Sequence, residues 1–158
     1  MRKSFAKELH KQMQANENIF LVVGDLGFKL FDEIRKDFPD RFINCNAAEQ
    51  CMMGIGVGLA LSGRIPLVYS ITPFLLFRAA ETIRNYVDHE NIPVLMCGSG
   101  RDDCYKHDGY SHAAYDASGL LNLFPNVKQY WPNTEDEING MVEDMINKKQ
   151  PSFISLKR

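Results

Sequence analysis

The chain has 158 residues, room for one domain with a sizeable core, since domains typically run about 100–150 residues. Eighteen Lys and Arg against 20 Asp and Glu leave a net charge of −2, which excludes the broad basic field that drives nucleic-acid binding. A composition of 45% hydrophobic and 24% charged residues is that of a globular protein, not of a disordered, collagen-like or disulfide-dense chain.

In chain order, Phe5, Leu9 and Met13 recur at helical spacing, which predicts an amphipathic helix over 2–15, closed by the polar Asn16-Glu17-Asn18. The unbroken apolar run Ile19–Val23 predicts a strand buried on both faces, as in a parallel sheet covered by helices. Gly24-Asp25-Leu26-Gly27 then turns the chain. A short helix over 30–36, a strand over 42–45 and a Gly- and Ala-rich helix over 48–61 follow. Next come a strand over 67–70, a helix over 74–89 and a strand over 93–97. Residues 98–115 form a long polar stretch without a usable period, and loops of that length in compact domains are usually functional. A helix over 116–123, a strand over 127–131, a helix over 134–147 and a strand over 153–156 complete the alternation. The expected class is therefore α/β, one domain over 1–158, with a mainly parallel sheet between helical layers.

No apolar run reaches the length of about 20 residues that a membrane-spanning helix needs, and the opening MRKSFAKELH has no signal-peptide core. A cytoplasmic protein is expected. Cys45, Cys51, Cys97 and Cys104 form no CxxC pair and are expected as free thiols. A zinc set drawn from Cys97, Cys104, His107 and His112 matches no common ligand spacing, so no metal site is expected in this chain.

Three features carry the chemistry. Gly54, Gly56 and Gly58 lack the spacing of a nucleotide loop; Gly54 and Gly58 lie on one helical face and read instead as a surface that lets another element, or a second subunit, approach closely. Glu49 stands where a strand gives way to that helix, flanked by Ala47, Ala48, Met52 and Met53. It reads either as a first-turn acid facing the helix dipole in water or as a desolvated carboxyl group suited to sharing a proton. Asp108, His112 and Asp116 place donors and acceptors in or beside the long loop.

The run Asn46–Pro66, NAAEQCMMGIGVGLALSGRIP, resembles the glutamate motif of transketolases and 1-deoxyxylulose-5-phosphate synthases. Pro73–Asn85 resembles the helix that follows it in that family, and Asp108-Gly-Tyr-Ser-His112 resembles the Asp-Gly-x-Thr-His signature. Gly24–Gly27 and Phe124-Pro-Asn126 also fall where the family places similar segments, so the resemblance runs over residues 20–132 without interruption. It covers only the pyrimidine-binding domain of these thiamine diphosphate enzymes. The Gly-Asp-Gly segment with a downstream Asn, which holds Mg²⁺ and the diphosphate in the family, is not in this sequence.

The resemblance implies the thiamine diphosphate-binding fold of a pyrimidine domain and a subunit of a split enzyme. Thiamine diphosphate would be shared with a separately encoded diphosphate-binding subunit that holds the Mg²⁺. It also implies a homodimer core within a heterotetramer, and transfer of a two-carbon ketol unit between sugars or sugar phosphates. Glu49 matches the residue that hydrogen-bonds N1′ of the aminopyrimidine. Phe74 and Phe77 match aromatic packing for that ring, and Asp25 and Leu26 match the segment reaching toward the thiazolium. Asp108 and His112 match positions that contact sugar hydroxyl and carbonyl groups, while Arg78 and Arg101 resemble arginines that bind sugar phosphate, for which a guanidinium fork is suited. Two departures are visible: Ser99-Gly100 stands about where transketolases have a histidine, and Tyr110 replaces a small residue or proline. A deoxyxylulose-phosphate synthase-like or other sugar-biosynthetic activity, or a noncatalytic relic of the domain, are the alternatives.

Overall fold

The computed structural model describes all residues 1–158. Six strands, all parallel, form one sheet in the order β2-β1-β3-β4-β6-β5. In chain order the elements are α1 (Arg2–Ala15), β1 (Ile19–Val23), α2 (Asp32–Asp37), β2 (Phe42–Asn44), α3 (Glu49–Leu61), β3 (Ile65–Ile71) and α4 (Thr72–Arg78). Then follow α5 (Ala80–Thr82), running on as π-helical turns over Ile83–His89, β4 (Leu95–Ser99), α6 (Ala117–Leu121), β5 (Lys128–Tyr130), α7 (Glu137–Lys148) and β6 (Ser152–Leu156).

The period-2 geometry of strands sorts the apolar runs into two cores. Leu21, Val23, Leu67, Tyr69, Leu95, Cys97, Ile154 and Leu156 face the helices α1 and α7. Val22, Val68, Met96 and Phe153 face the layer of α3, α4, the π-helical stretch and α6. A strand that must bury both faces has no place for polar alternation, which is why Ile19–Val23 reads as a continuous hydrophobic run. Helix α1 is held by the predicted stripe: Phe5, Leu9 and Met13 are fully buried. Phe5 stacks on Tyr69 at 6.1 Å between centroids, and Phe31 meets the same Tyr69 ring edge-on at 4.8 Å. Each such buried side chain contributes about 1.5–3 kcal/mol.

Four expectations need correcting. The helix expected over 74–89 breaks at Ala79, whose backbone leaves the helical region at φ −106°, ψ 13°, and resumes with wider π turns. No Gly or Pro marks this break. Strand β4 lies two residues later than expected, because Gly98 and Ser99 pair with Ser70 and Ile71 on one side and with Ser155 and Leu156 on the other. The polar stretch is less irregular than its sequence suggests: short 3₁₀ turns at Lys106–Asp108 and Tyr110–His112 sit between Asp102 and Ala114, which are joined by an antiparallel bridge.

The fourth correction concerns the glycine-rich helix. Within the chain only Gly56 is a point of close approach, where an added Cβ would stand 3.0 Å from Val68 Cγ1 and 3.3 Å from Val94 Cγ1. Gly54 and Gly58 lie on the exposed side of α3 with nothing within 4 Å. No element of the chain itself packs against either position.

Candidate functional site at the switch point of the sheet

From β1 the chain goes to β2 on one side, and the next strand, β3, is added on the other. Such a reversal opens a crevice beyond the carboxyl ends of the two central strands, where open α/β sheets place their ligands. Glu49 is the first residue of α3 and reaches into this crevice. It is 2% exposed. Its Oε1 accepts a hydrogen bond from Ser70 Oγ at 3.1 Å, at the end of β3. Its Oε2 accepts one from Arg78 Nη1 at 2.7 Å. Gly24, just past β1, makes room for this arrangement: a Cβ there would stand 3.1 Å from Ser70 Oγ and 3.4 Å from Glu49 Oε1. The first turn of α3 adds the favourable potential of a helix N-terminus toward the carboxylate.

Around the carboxylate the structure gathers an aromatic and cationic set. The Arg78 guanidinium lies over the Phe74 ring, 3.9 Å from its centroid, while His112 meets the same ring edge-on at 4.8 Å. Both aromatic contacts follow from α4, whose Pro73 at the first turn starts a helix that carries Phe74 and Arg78 on one side. Beside them opens a cavity of about 400 Å³ lined in part by Phe74, Phe77, Arg78, Tyr110, Ser111 and Asp116. Phe77 is 45% exposed and Tyr110 83% exposed at its rim, large apolar surfaces of the sort that mark contact sites. The loop carrying Tyr110 and His112 is tied down at its base, where Ala114 N donates to Asp102 O at 2.7 Å. Thr72, the first residue of α4, donates through Oγ1 to the carbonyl of Gly100, fastening the end of β4 to the same helix.

The remaining expected residues stand apart from this cluster. Asp25 is exposed, at φ 50°, with its N–H donated to Asn44 Oδ1 at 3.2 Å. Leu26 is half-buried and packs on the core beside α1. Asp108 is exposed and pairs with His107 at 3.3 Å. Arg101 is buried at 8% exposure: its Nε donates to Ser155 Oγ at 3.2 Å, its Nη2 donates to the Ser155 carbonyl, and Trp131 lies 5.3 Å away beneath it. Burial pulls the Arg101 pKa below the ordinary guanidinium value. Its fork is thus spent largely on β6, unlike that of Arg78. Burial likewise raises the Cys45 thiol, with a further upward push from the neighbouring Cys51.

Ser70 and Gly24 join the site without having been singled out from sequence as its members, while Asp116, expected beside the long loop, lines the cavity. Ser70 is 21 residues from Glu49 in the chain, and the packing of α3 back onto β3 brings the two together. The available signal was positional: residues at the carboxyl ends of β1 and β3 border the crevice whatever their type.

The geometry has counterparts among known proteins. The family described as "Transketolase, pyrimidine binding domain" matches residues 1–158. One of the subunits of the apulose-4-phosphate transketolase of Actinobacillus succinogenes is 31% identical over 121 residues, covering 77% of this chain and 39% of that protein. A putative transketolase C-terminal section of Methanocaldococcus jannaschii is 28% identical over 159 residues, covering all of this chain and 50% of that one. The chain thus spans half or less of the curated relatives it matches. In three dimensions it superimposes on a split gene transketolase, described as an inactive beta4 tetramer, with a TM-score of 0.86 at 28% identity, covering 98% of this chain and 50% of that one. No helix is long and apolar enough to cross a membrane. A family match from the first residue to the last, on a parallel sheet whose switch point carries Glu49, places this chain in the transketolase pyrimidine-binding domain family.

Proposed function

We propose that the chain is the pyrimidine-binding subunit of a split, thiamine diphosphate-dependent transketolase-like enzyme, which moves a two-carbon ketol unit between sugars or sugar phosphates. The observation that carries this reading is the buried Glu49 carboxylate at the β1–β3 crevice, beside an aromatic ring and a cavity of ligand size. The residues fit an aminopyrimidine. A buried acid can exchange one of its hydrogen bonds for the ring nitrogen N1′, and Phe74 offers an apolar face on which a flat heterocycle can lie. When bound, thiamine diphosphate supplies a carbanion equivalent at its thiazolium carbon.

This chain's residues then have distinct tasks. Glu49 holds a proton at N1′, which favours the imino tautomer of the 4′-amino group. Ser70 fixes Oε1 so that Oε2 faces the ring position. Phe74 orients the ring and Phe77 shields it from the cavity side, while Asp25 and Leu26, which follow β1, are assigned toward the thiazolium. His112, edge-on to Phe74, is placed to exchange a proton with a substrate oxygen, with Asp108 on the same loop. Arg78 and Arg101 are the candidate phosphate ligands, and Arg78 alone lines the cavity. The Mg²⁺ and the diphosphate fall to the partner subunit.

Reconstitution tests the reading: the chain, a diphosphate-binding transketolase subunit, Mg²⁺ and thiamine diphosphate are combined and supplied with a ketose phosphate donor or with pyruvate. Ketol transfer from the ketose supports it. Product from pyruvate alone would move the assignment to the synthase-like alternative, and no turnover with bound cofactor would favour a noncatalytic role.

The homodimer core is proposed at the exposed face of α3, where Gly54 and Gly58 leave the helix backbone open and Leu61 is 70% exposed. The split gene transketolase that this chain resembles is described as a tetramer of a single chain type. Leucine at Gly54 and Gly58 should leave the isolated fold intact, because nothing within the chain lies near either position. It should also shift sedimentation from dimer or larger to monomer. An unchanged sedimentation coefficient moves the self-contact elsewhere.

A further inference from the structure

In the chain by itself, Arg78 occupies both contacts assigned above to the aminopyrimidine. Its Nη1 donates to Glu49 Oε2 at 2.7 Å, and its guanidinium covers the face of Phe74 at 3.9 Å. A guanidinium is flat, presents N–H groups at its edge and binds aromatic faces, so it meets the same two partners in the same manner as an aminopyrimidine edge and ring would. The other carboxylate oxygen is already held by Ser70. Each Glu49 oxygen keeps a second lone pair, but the space beside Oε2 and over the Phe74 ring stays filled until Arg78 moves.

The two members of the pair differ in what separation costs them. The Glu49 side chain is 1% exposed and the Arg78 side chain 45% exposed. A carboxylate so deeply buried is expensive without a donor, whereas a half-exposed guanidinium can rotate into water and keep its hydration. Exchange in one direction is therefore favoured: a ligand enters, Glu49 gains a new partner, and Arg78 leaves toward the cavity that it already lines with Phe77, Tyr110 and Asp116.

We propose that Arg78 is a displaceable placeholder, a positioning residue that keeps Glu49 paired and Phe74 covered until the aminopyrimidine takes both over. The proposal rests on the reading of Glu49 as the N1′ partner. It carries an order of events: the guanidinium becomes available to an anionic substrate in the cavity only after the cofactor has displaced it. Arg78 would thus serve the cofactor site first and the substrate site second.

The test is calorimetric titration of thiamine diphosphate, with Mg²⁺ present, into the assembled two-subunit enzyme carrying wild-type chain, Arg78→Ala, Arg78→Lys, Glu49→Gln, or Glu49→Gln with Arg78→Ala. Removing a competitor of charge-assisted hydrogen-bond strength should tighten binding by Arg78→Ala roughly tenfold, with Arg78→Lys between it and wild type. In the Glu49→Gln background the same substitution should change affinity by less than about threefold, since the contact it relieves is weakened. Thermal melts supply an independent readout: Arg78→Ala should lower the melting temperature of the cofactor-free chain but not of the loaded complex. Weaker or unchanged binding by Arg78→Ala, with Glu49→Gln still impaired, overturns the placeholder and leaves the Glu49 reading standing. If Glu49→Gln binds as tightly as wild type, or no form of the complex binds the cofactor, the Glu49 reading fails and the placeholder with it. Should Arg78→Ala not fold, Arg78→Lys decides the sign by the same titration.

Discussion

Alanine at position 49 is expected to lower ketol transfer by the assembled enzyme by about 10²–10⁴-fold, the range that a positioned proton-transfer group contributes. The expectation follows from where the carboxylate stands. It is 2% exposed, so a hydrogen bond it makes to a ring nitrogen operates in low dielectric and is stronger than its counterpart in water. Ser70 and the first turn of α3 hold it in one orientation, which removes the need to reorganise at the moment of proton transfer. Stability should respond far less than turnover. Losing Glu49 leaves Arg78 without its partner, but that side chain is 45% exposed and can rehydrate, a cost of about 1 kcal/mol or less. The buried Ser70 hydroxyl, left without its acceptor, adds about 1–3 kcal/mol. Glu49→Ala is therefore expected to lose turnover by orders of magnitude with only a modest drop in melting temperature, and Arg78→Ala to melt below wild type because it strands the buried member of the same pair. Steady-state kinetics on the reconstituted complex and thermal melts of the free chain measure the two effects separately. Turnover by Glu49→Ala within tenfold of wild type would remove Glu49 from the mechanism.

Much of the fold was readable because burial dictates residue type so strongly here. Helix α1 follows from the spacing of Phe5, Leu9 and Met13, all three fully buried. The run at 19–23 is apolar on both sides of the strand because helices cover both faces of the sheet, which also made the parallel arrangement legible. Where the sequence misled, long-range pairing decided. Gly98 and Ser99 look like the start of a loop, yet each is flanked by a strand on either side, and ladder hydrogen bonds to β3 and β6 outweigh the weak strand preference of glycine. The kink at Ala79 has no local signal at all.

The site divides along the same line. Glu49 stood out through its own surroundings, a strand end followed by a helix start, whereas Phe74 was singled out only through the resemblance to the family's motif. The Glu49–Arg78 pair joins residues 29 apart, and the Glu49–Ser70 bond joins residues 21 apart. Neither follows from spacing, since both depend on how α3 packs onto β3 and α4. Arg101 shows the converse. The family resemblance implies a phosphate ligand there, while its Nε and Nη2 donate to the hydroxyl and carbonyl of Ser155, 54 residues on. The sequence surroundings of Glu49 suggested an apolar setting, and burial agrees, while the atoms in contact with the carboxylate are a hydroxyl and a guanidinium. Chain-local composition predicts exclusion from water more readily than it predicts partners.

Gly98→Ala is expected to destabilise the chain by about 3 kcal/mol, the upper end of the usual range for inserting a methyl group into a packed interior. Its added Cβ would stand 2.8 and 2.9 Å from Cζ and Cε2 of Phe153, and against Oγ1 of Thr72 as well. Neither neighbour can yield cheaply. Phe153 is fully buried on β6 and packs against Trp131 at 5.9 Å between centroids. Thr72 is fastened through its hydroxyl to the carbonyls of Gly100 and Ser99. If Thr72 moves, α4 moves with it, and Phe74 lies only two residues further along. The substitution should therefore also weaken cofactor binding, though it touches no cofactor contact. A double-mutant cycle isolates the cause: Phe153→Leu removes the ring edge facing position 98, so in the Gly98→Ala background it should recover at least half of the lost stability, whereas alone it should destabilise. Gly54→Ala provides the control, since an added Cβ there meets nothing within 4 Å and the gain in helix propensity should leave stability within about 1 kcal/mol of wild type or above it. Chemical denaturation of the four variants and wild type measures all of these differences. If Gly98→Ala and Gly54→Ala unfold at the same denaturant concentration, the contact between the end of β4, Phe153 and Thr72 is not what anchors α4 beneath the site.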